Sequence, residues 1–340
     1  MIGRASVLGV VVAALAALPV GCTLSARPSD YFDPSGNTVM LARFDEGAPE
    51  NLALTADAVF ASVGTRVVRV EKTSGVVRTI TELTSPPASV VVGFGGRVVV
   101  CDRDRGVIVF ESTAPFAEVA LPHPSGDRAC LTAAASDTRI AYVPELPADA
   151  PSDATPEVDQ IFANGSTTKA TSPFGKQGTA DSQPVPSLAF VGDDLAVLLR
   201  GGIGRWSATD FCVLLRADTP KVRPQKIAGN ATVTLAMGGG DRLHMVAAST
   251  TCCPKTAPNA CDRAPNVTVA SPVDWVLTRA YLYYLSEGAV SRRSMARLSD
   301  PSAEGDERFE IAGGSALAVE PDDSAAYVSV GTRLVRRMMR

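Results

Sequence analysis

Ser62-Val63-Gly64-Thr65-Arg66-Val67-Val68-Arg69 and Ser329-Val330-Gly331-Thr332-Arg333-Leu334-Val335-Arg336 are nearly the same stretch of sequence. Seven of the eight aligned positions are identical, although the two copies lie far apart in the chain. Each copy follows an apolar stretch, a turn with Asp and a strand with one aromatic residue, so Phe60 and Tyr327 are equivalent. We interpret the two copies as the first and last of a series of internal repeats.

The same motif, a turn of Gly, Asp or Arg followed by a short apolar strand, recurs between the two copies. Its further centres are Val99, Tyr142, Val197, Met245 and Tyr283. Successive centres, from Phe60 to Tyr327, are 39, 43, 55, 48, 38 and 44 residues apart, within or near the roughly 40 to 50 residues of a propeller blade. The predicted fold is therefore all-β, a β-propeller of seven four-stranded blades, with six or eight blades as alternatives.

The strands of one blade are readable in the first repeat, where runs rich in Val alternate with Gly and Asp turns. They are predicted at residues 52–55, 58–63, 66–71 and 76–80. The last repeat ends at Arg340 and lacks a fourth strand, which would leave an open sheet edge. We expect residues 37–44, an isolated strand candidate, to complete the last blade and close the ring.

The N-terminus has the pattern of an export signal. Arg4 precedes an uncharged run of 17 residues, from Ala5 to Gly21, so residues 1–21 are predicted to be a signal peptide. Its end, Leu18-Pro19-Val20-Gly21-Cys22, resembles the bacterial lipobox, although Pro19 and the position of Leu18 depart from that motif. The resemblance implies lipidation of Cys22, a tether over residues 22–36 and a propeller over 37–340. The expected location is the bacterial cell envelope, at the outer membrane, with a soluble periplasmic or secreted protein as the alternative.

The chain has seven cysteines, so lipidation of Cys22 leaves an even number. In an exported protein these remaining cysteines are candidates for disulfides, and 15 connectivities stay open. They are Cys101, Cys130, Cys212, Cys252, Cys253 and Cys261. Three of them lie in a Cys-rich loop at about 250–265, without a Cys-x-x-Cys pair or a nearby His, so neither a metal nor a cofactor is expected. A second insertion, at about 144–186, is rich in Pro, Asp, Ala, Ser and Thr and is predicted to be flexible.

The repeats resemble those of the YVTN and NHL type of β-propeller. The resemblance is carried by Leu-Ala-x-x-x-Asp followed by Ala-Tyr-Val-Ser-Val at 317–330, and by Val-x-Arg-Val-x-x-x-Ser-Gly at 67–75. It implies the fold and its common use, the display of loops for binding. It identifies no catalytic residue.

Composition disfavours some classes of function but does not identify one. A net charge of −4 indicates no nucleic-acid partner, and we expect a monomer. The chain has two histidines: His123 in a predicted turn and His244 in a predicted strand, and neither pattern indicates acid–base chemistry. The leading hypothesis is a lipid-anchored propeller that binds a protein, peptide or glycan. The alternatives are a hydrolase, lactonase or lyase acting at the central channel, and a structural component of the envelope.

Overall fold

The structure is a computed structural model that describes most of the chain after residue 36. The described residues are 37–150, 154, 157–171, 187–199, 202–206, 211–216, 226–230, 233–237, 242–247, 266–269, 272–286, 288–298, 300, 304–311 and 313–339. They form 28 strands and one short 3-10 helix, Met295–Arg297. The predicted signal peptide at 1–21, Cys22 and the predicted tether at 22–36 lie outside them.

The strands of the described residues form seven antiparallel four-stranded sheets. Sheet 1 contains β2 (Pro49–Leu54), β3 (Ala58–Val63), β4 (Arg66–Glu71) and β5 (Val77–Glu82). Sheet 2 contains β6 (Ser89–Gly93), β7 (Arg97–Asp102), β8 (Gly106–Phe110) and β9 (Glu118–Val119). Sheet 3 contains β10 (Cys130–Ala135), β11 (Arg139–Pro144), β12 (Glu157–Phe162) and β13 (Thr167–Thr171). Sheet 4 contains β14 (Ser187–Val191), β15 (Asp194–Leu199), β16 (Gly202–Trp206) and β17 (Phe211–Arg216).

The remaining three sheets follow the same plan. Sheet 5 contains β18 (Ile227–Gly229), β19 (Val233–Met237), β20 (Arg242–Ala247) and β21 (Asn266–Thr268). Sheet 6 contains β22 (Asp274–Leu277), β23 (Tyr281–Ser286), β24 (Ala289–Ser294) and β25 (Glu307–Glu310). Sheet 7 contains, in spatial order, β26 (Gly314–Val319), β27 (Ala325–Val330), β28 (Arg333–Met338) and β1 (Thr38–Arg43).

The first strand of every sheet lies at the centre of the molecule. These inner strands are β2, β6, β10, β14, β18, β22 and β26; each contacts the next in this series, and β26 contacts β2. Sheets radiating from such a circle of inner strands are the architecture of a β-propeller. The predicted all-β propeller fold is therefore confirmed.

Apolar side chains on both faces of each sheet explain why the sheets stack. In β3, Val59 and Ala61 join the cluster shared with sheet 7, whereas Ala58 and Phe60 join the cluster shared with sheet 2. Successive side chains of a strand point to opposite faces, so a strand covered on both sides reads as a continuous apolar run. Six such clusters lie between neighbouring sheets in the described residues.

The repeated Ser-Val-Gly-Thr-Arg stretch is a β-hairpin in both copies. Val63 pairs with Arg66 and Val330 with Arg333, so each hairpin has a two-residue Gly-Thr turn. Gly64 and Gly331 have φ values of +57° and +54°. Positive φ is common for glycine and rare for other residues, so this turn explains why both copies of the motif have glycine at the same position.

One repeat centre was assigned to the wrong strand. Six of the seven centres lie on the second strand of their sheets, but Met245 lies on β20, the third strand of sheet 5. The second strand there is β19. The glycine-rich segment 238–241 precedes β20 and imitates the turn that introduces the second strand elsewhere.

The prediction of a flexible insertion at 144–186 is wrong for residues 157–171. Residues 157–171 contain β12 and β13, the third and fourth strands of sheet 3. Val158 and Ile161 are fully buried there, so this segment does contribute to the core. The Pro- and Asp-rich composition of the surrounding sequence indicated a loop, so the strands β12 and β13 were not predicted. Residues 151–153 and 172–186 lie outside the described residues.

The N-terminal strand β1 pairs with β28 near the C-terminus. The pairing is antiparallel and runs from Thr38 opposite Arg337 to Arg43 opposite Arg333. Arg333, Arg336 and Arg337 are half-buried on β28, and Arg337 Nη1 donates to Thr38 Oγ1. Among the described residues, no helix has the length and apolar character needed to cross a bilayer.

Candidate functional site

A cavity of about 460 Å³ lies at the centre of the circle of inner strands. Its wall contains residues from all seven inner strands or from the positions just before them. Four hydroxyl side chains line it: Ser89, Thr132, Ser187 and Ser315. Because this volume falls within the range of small-ligand pockets, we treat the cavity as the candidate functional site.

Three polar side chains in the cavity wall connect one sheet to the next. Ser89 Oγ accepts a hydrogen bond from the backbone N–H of Ala133, at 3.3 Å, and so joins sheet 2 to sheet 3. Ser187 Oγ accepts the N–H of Ile227 at 3.0 Å, which joins sheet 4 to sheet 5. The Asp274 carboxylate makes the third connection, which joins sheet 6 to sheet 7. These bonds fix the positions of the inner strands and therefore the shape of the cavity.

The cavity wall also contains one ion pair. Lys226 Nζ contacts Asp274 Oδ1. Asp274 Oδ1 also accepts the N–H of Trp275 at 2.9 Å, and Asp274 Oδ2 accepts the N–H of Leu317 at 2.8 Å. The carboxylate is thus held by two backbone amides and an ammonium group, whereas the Lys226 side chain is 40% exposed.

Some hydrogen-bond donors of the cavity wall are available to a ligand. A serine hydroxyl that accepts a backbone N–H still has its own hydrogen to donate, and an ammonium group has three N–H donors. Ser89, Ser187 and Lys226 can therefore donate to a ligand, while the Asp274 oxygens already accept bonds from the protein. Glu50, an exposed residue of the wall, adds a negative charge. The arrangement suits a polar ligand that brings hydrogen-bond acceptors.

The residues that the sequence singled out lie elsewhere. His123 is in a turn before β10, where its carbonyl accepts the N–H of Gly126 at 3.1 Å. His244 is on β20, the third strand of sheet 5, so neither histidine is on an inner strand. In the described residues, no three His, Cys, Asp or Glu side chains converge as a metal site would require.

One pair of the candidate cysteines forms a disulfide. Cys101 on β7 and Cys130 on β10 are joined, with a Cα–Cα distance of 5.2 Å, so the bond crosses from sheet 2 to sheet 3. Both are fully buried. The pairing confirms disulfide formation for these two cysteines. Cys212 lies on β17 and its side chain is not described; Cys252, Cys253 and Cys261 lie outside the described residues.

The sequence analysis missed Lys226 and Asp274. A signal for Asp274 was present, because a polar residue followed by an apolar pair begins several inner strands, as in Ser89-Val90-Val91 and Asp274-Trp275-Val276. No comparable signal existed for the ion pair. Its members are 48 positions apart and belong to different sheets.

Comparison with known proteins establishes the fold but no specific function. No protein-family model and no curated protein matches the sequence. The structure is similar to virginiamycin B lyase from Staphylococcus aureus, with a TM-score of 0.61 and 12% identity over 89% of this chain and 98% of that chain. A catalytically inactive histidine-to-alanine variant of that lyase, with quinupristin, matches with a TM-score of 0.61, 13% identity, and coverage of 88% and 98%.

A second similar protein belongs to a secretion system. PorZ, an essential bacterial surface component of the type-IX secretion system of Porphyromonas gingivalis, matches with a TM-score of 0.58 and 13% identity. The match covers 90% of this chain and 38% of PorZ. The lyase and PorZ are both solved structures of bacterial proteins. At these identities the shared property is the β-propeller fold.

Proposed function

We propose that the chain is an exported, lipid-anchored propeller that binds a protein, peptide or glycan and holds one polar group of it in the central cavity. The observation that carries this proposal is the cavity of about 460 Å³ whose polar side chains come from many sheets. Hydrogen-bond donors from Ser89, Ser187 and Lys226 supply specificity for acceptor groups such as carbonyl, carboxylate or sugar oxygens. The loops around the cavity would contact the rest of the ligand.

Binding is favoured over catalysis by the chemistry of the wall. Replacing one histidine inactivates the structurally similar lyase, but His123 of this chain is in a turn before β10 and His244 is on the third strand of sheet 5, so neither is on an inner strand. Lys226 and Asp274 neutralise each other, and both Asp274 oxygens accept backbone N–H bonds. A general base needs a free acceptor within reach of its substrate. A hydrolase, lactonase or lyase would have to use Glu50 or a residue outside the described part of the chain.

The architecture suggests how the propeller is held near a membrane. We propose that each of the seven sheets is one blade and that β1 closes the ring. The pairing of β1 with β28 supports this closure. Lipidation of Cys22 would make residues 22–36 a tether that ends shortly before β1. The propeller would then lie close to the bilayer, with few residues between lipid and ring.

Capture of a partner from membranes tests the proposed binding. We expect the tagged propeller, crosslinked and purified from solubilised membranes, to retain one stoichiometric partner. Lys226→Met should reduce the retained amount by roughly tenfold, because a charge-assisted hydrogen bond is worth about 1.5 kcal/mol or more.

Lys169→Met is the matched control. Lys169 lies on the outer strand β13 with a side chain 42% exposed, and it pairs with Glu157 as Lys226 pairs with Asp274. It should leave capture unchanged. Equal losses for the two variants, or no partner with the unaltered protein after crosslinking, would contradict binding at the cavity and favour a structural role.

A further inference from the structure

Three sheets contain a buried tyrosine beside a carboxylate. In sheet 6 the Tyr284 hydroxyl donates to Asp306 Oδ2 at 2.8 Å, and in sheet 7 the Tyr327 hydroxyl donates to Glu320 Oε1 at 2.7 Å. Burial raises the pKa of Tyr284 to about 12, and the hydrogen bond to Asp306 acts in the same direction. Each pair therefore places a tyrosine hydroxyl against a carboxylate.

A cationic side chain completes the group in both of these sheets. Arg293 Nη2 lies 2.9 Å from Asp306 Oδ2, and Lys72 Nζ lies 2.7 Å from Glu320 Oε1. Both cations are nearly inaccessible, with exposed side-chain fractions of 0% and 7%. A buried carboxylate needs such compensation because transfer of an isolated charge from water is costly. The recurring unit is tyrosine, carboxylate and cation.

Sheet 3 has the first two members of this unit. Tyr142 on β11 lies directly opposite Asp159 on β12. Both are buried, at 1% and 0% exposure. Burial raises the pKa of Tyr142, and the nearby charge of Asp159 adds to the increase. The Tyr142 hydroxyl interacts with the Asp159 carboxylate and with the Ser125 backbone. Among the described residues, however, no hydrogen bond of ordinary geometry reaches either Asp159 oxygen or the Tyr142 hydroxyl.

No side chain of the described residues supplies the cation in sheet 3. Arg128 is close enough to influence the Tyr142 hydroxyl, but its Nη2 binds Glu157 Oε2 and its Nε donates to the Ser125 carbonyl, both at 3.1 Å. Burial acts to raise the pKa of Glu157, but the hydrogen bonds and charges of Arg128 and Lys169 outweigh it and lower that pKa. The Arg128 side chain therefore binds Glu157 and the Ser125 carbonyl. It forms no ion pair with Asp159 in the described residues.

The turn before β10 contributes one neighbour to this pair and contains further buried polar atoms. The Ser125 backbone lies beside the Tyr142 hydroxyl. The Ser125 Oγ and His123 Nδ1 atoms are both buried, without a hydrogen-bond partner in the described part of the chain. Buried polar groups of native proteins are paired with protein, water or an ion. A fully buried carboxylate without a cationic partner in the described residues thus indicates a bound species.

We propose that Asp159, Tyr142 and Ser125 bind a monovalent metal cation, Na⁺ or K⁺, at the interface of sheets 2 and 3. Carboxylate and hydroxyl oxygens are ligands for hard cations. A single carboxylate balances a single positive charge, whereas divalent cations are usually held by more than one.

Thermal unfolding in different salts tests the cation site. We expect the unfolding midpoint to be on the order of 2–4 °C higher in NaCl or KCl than in choline chloride of the same ionic strength, because a ligand of the folded state stabilises it. Asp159→Asn should remove this difference. Glu320→Gln, in the sheet that has Lys72 as its cation, should lower the midpoint but keep the difference between salts.

A crystallographic measurement covers the case in which Asp159→Asn does not fold. Crystals of the unaltered protein grown with Rb⁺ should show an anomalous peak beside the Asp159 carboxylate. Equal midpoints in all three salts, or a salt difference that Asp159→Asn retains, would overturn the proposal. Absence of the Rb⁺ peak at Asp159 would overturn it as well.

Discussion

Deletion of residues 37–44 should destabilise the whole domain, although it removes only one outer strand. Leu41, Ala42 and Phe44 are buried in the cluster between sheets 7 and 1. Loss of two large buried side chains and of the β1 ladder would cost roughly 5 kcal/mol or more, a large part of the roughly 5–15 kcal/mol that stabilises a domain. Denaturant unfolding followed by circular dichroism measures the loss.

Milder variants test the same contact if the deletion prevents folding. Leu41→Ala should cost about 2–5 kcal/mol. Gly75→Ala should also destabilise the protein, because a Cβ at Gly75 would lie 2.2 Å from the Leu41 carbonyl oxygen. Gly64→Ala is the matched control: Gly64 also has a positive φ, but a Cβ added there would have no neighbouring atom within 4 Å. Equal effects of the two glycine substitutions would contradict tight packing of sheet 1 on β1.

Asp306→Ala should cost about 3–5 kcal/mol, because it removes a carboxylate that pairs with a fully buried guanidinium. Arg293 Nε lies 2.9 Å from Asp306 Oδ1, and Tyr284 also donates to this carboxylate. The exposed side-chain fractions of Arg293 and Asp306 are 0% and 4%. The free energy of unfolding from urea titration measures the effect.

Two comparisons show whether the cost comes from the unpaired charge. The double variant Arg293→Met, Asp306→Leu should be more stable than Asp306→Ala alone, since an apolar pair leaves no buried charge. Glu310→Ala, which breaks the exposed Arg308–Glu310 pair, should have little effect. A small loss for Asp306→Ala would mean that Arg293 reaches water when its partner is removed.

Local pattern was sufficient to predict the all-β propeller, because each repeat contains its own turn and strand signals. The strands predicted at 58–63 and 66–71 agree with β3 and β4. Sheet 5 is the exception, since the glycine-rich sequence at 238–241 resembles the sequences that precede second strands. Spacing alone could not separate the third strand β20 from the second strand β19.

Charged residues were the least predictable part of the molecule. The segment 299–307 reads as a charged surface turn, yet Asp306 is buried against Arg293. Asp159 lies in a segment whose composition indicates disorder, yet it is fully buried opposite Tyr142. Burial of a charge depends on a partner from another strand or sheet, and local composition does not contain that information.

The central claim is that the cavity between the inner strands is the ligand site, and photo-crosslinking tests it most directly. Val273 lines the cavity and is 54% exposed, so a photoreactive amino acid there would face a bound ligand. Thr167, an exposed residue of the outer strand β13, provides the control position. We predict that illumination of membranes joins one partner to position 273 and none to position 167. Capture at position 167 without capture at position 273 would contradict a ligand site in the cavity.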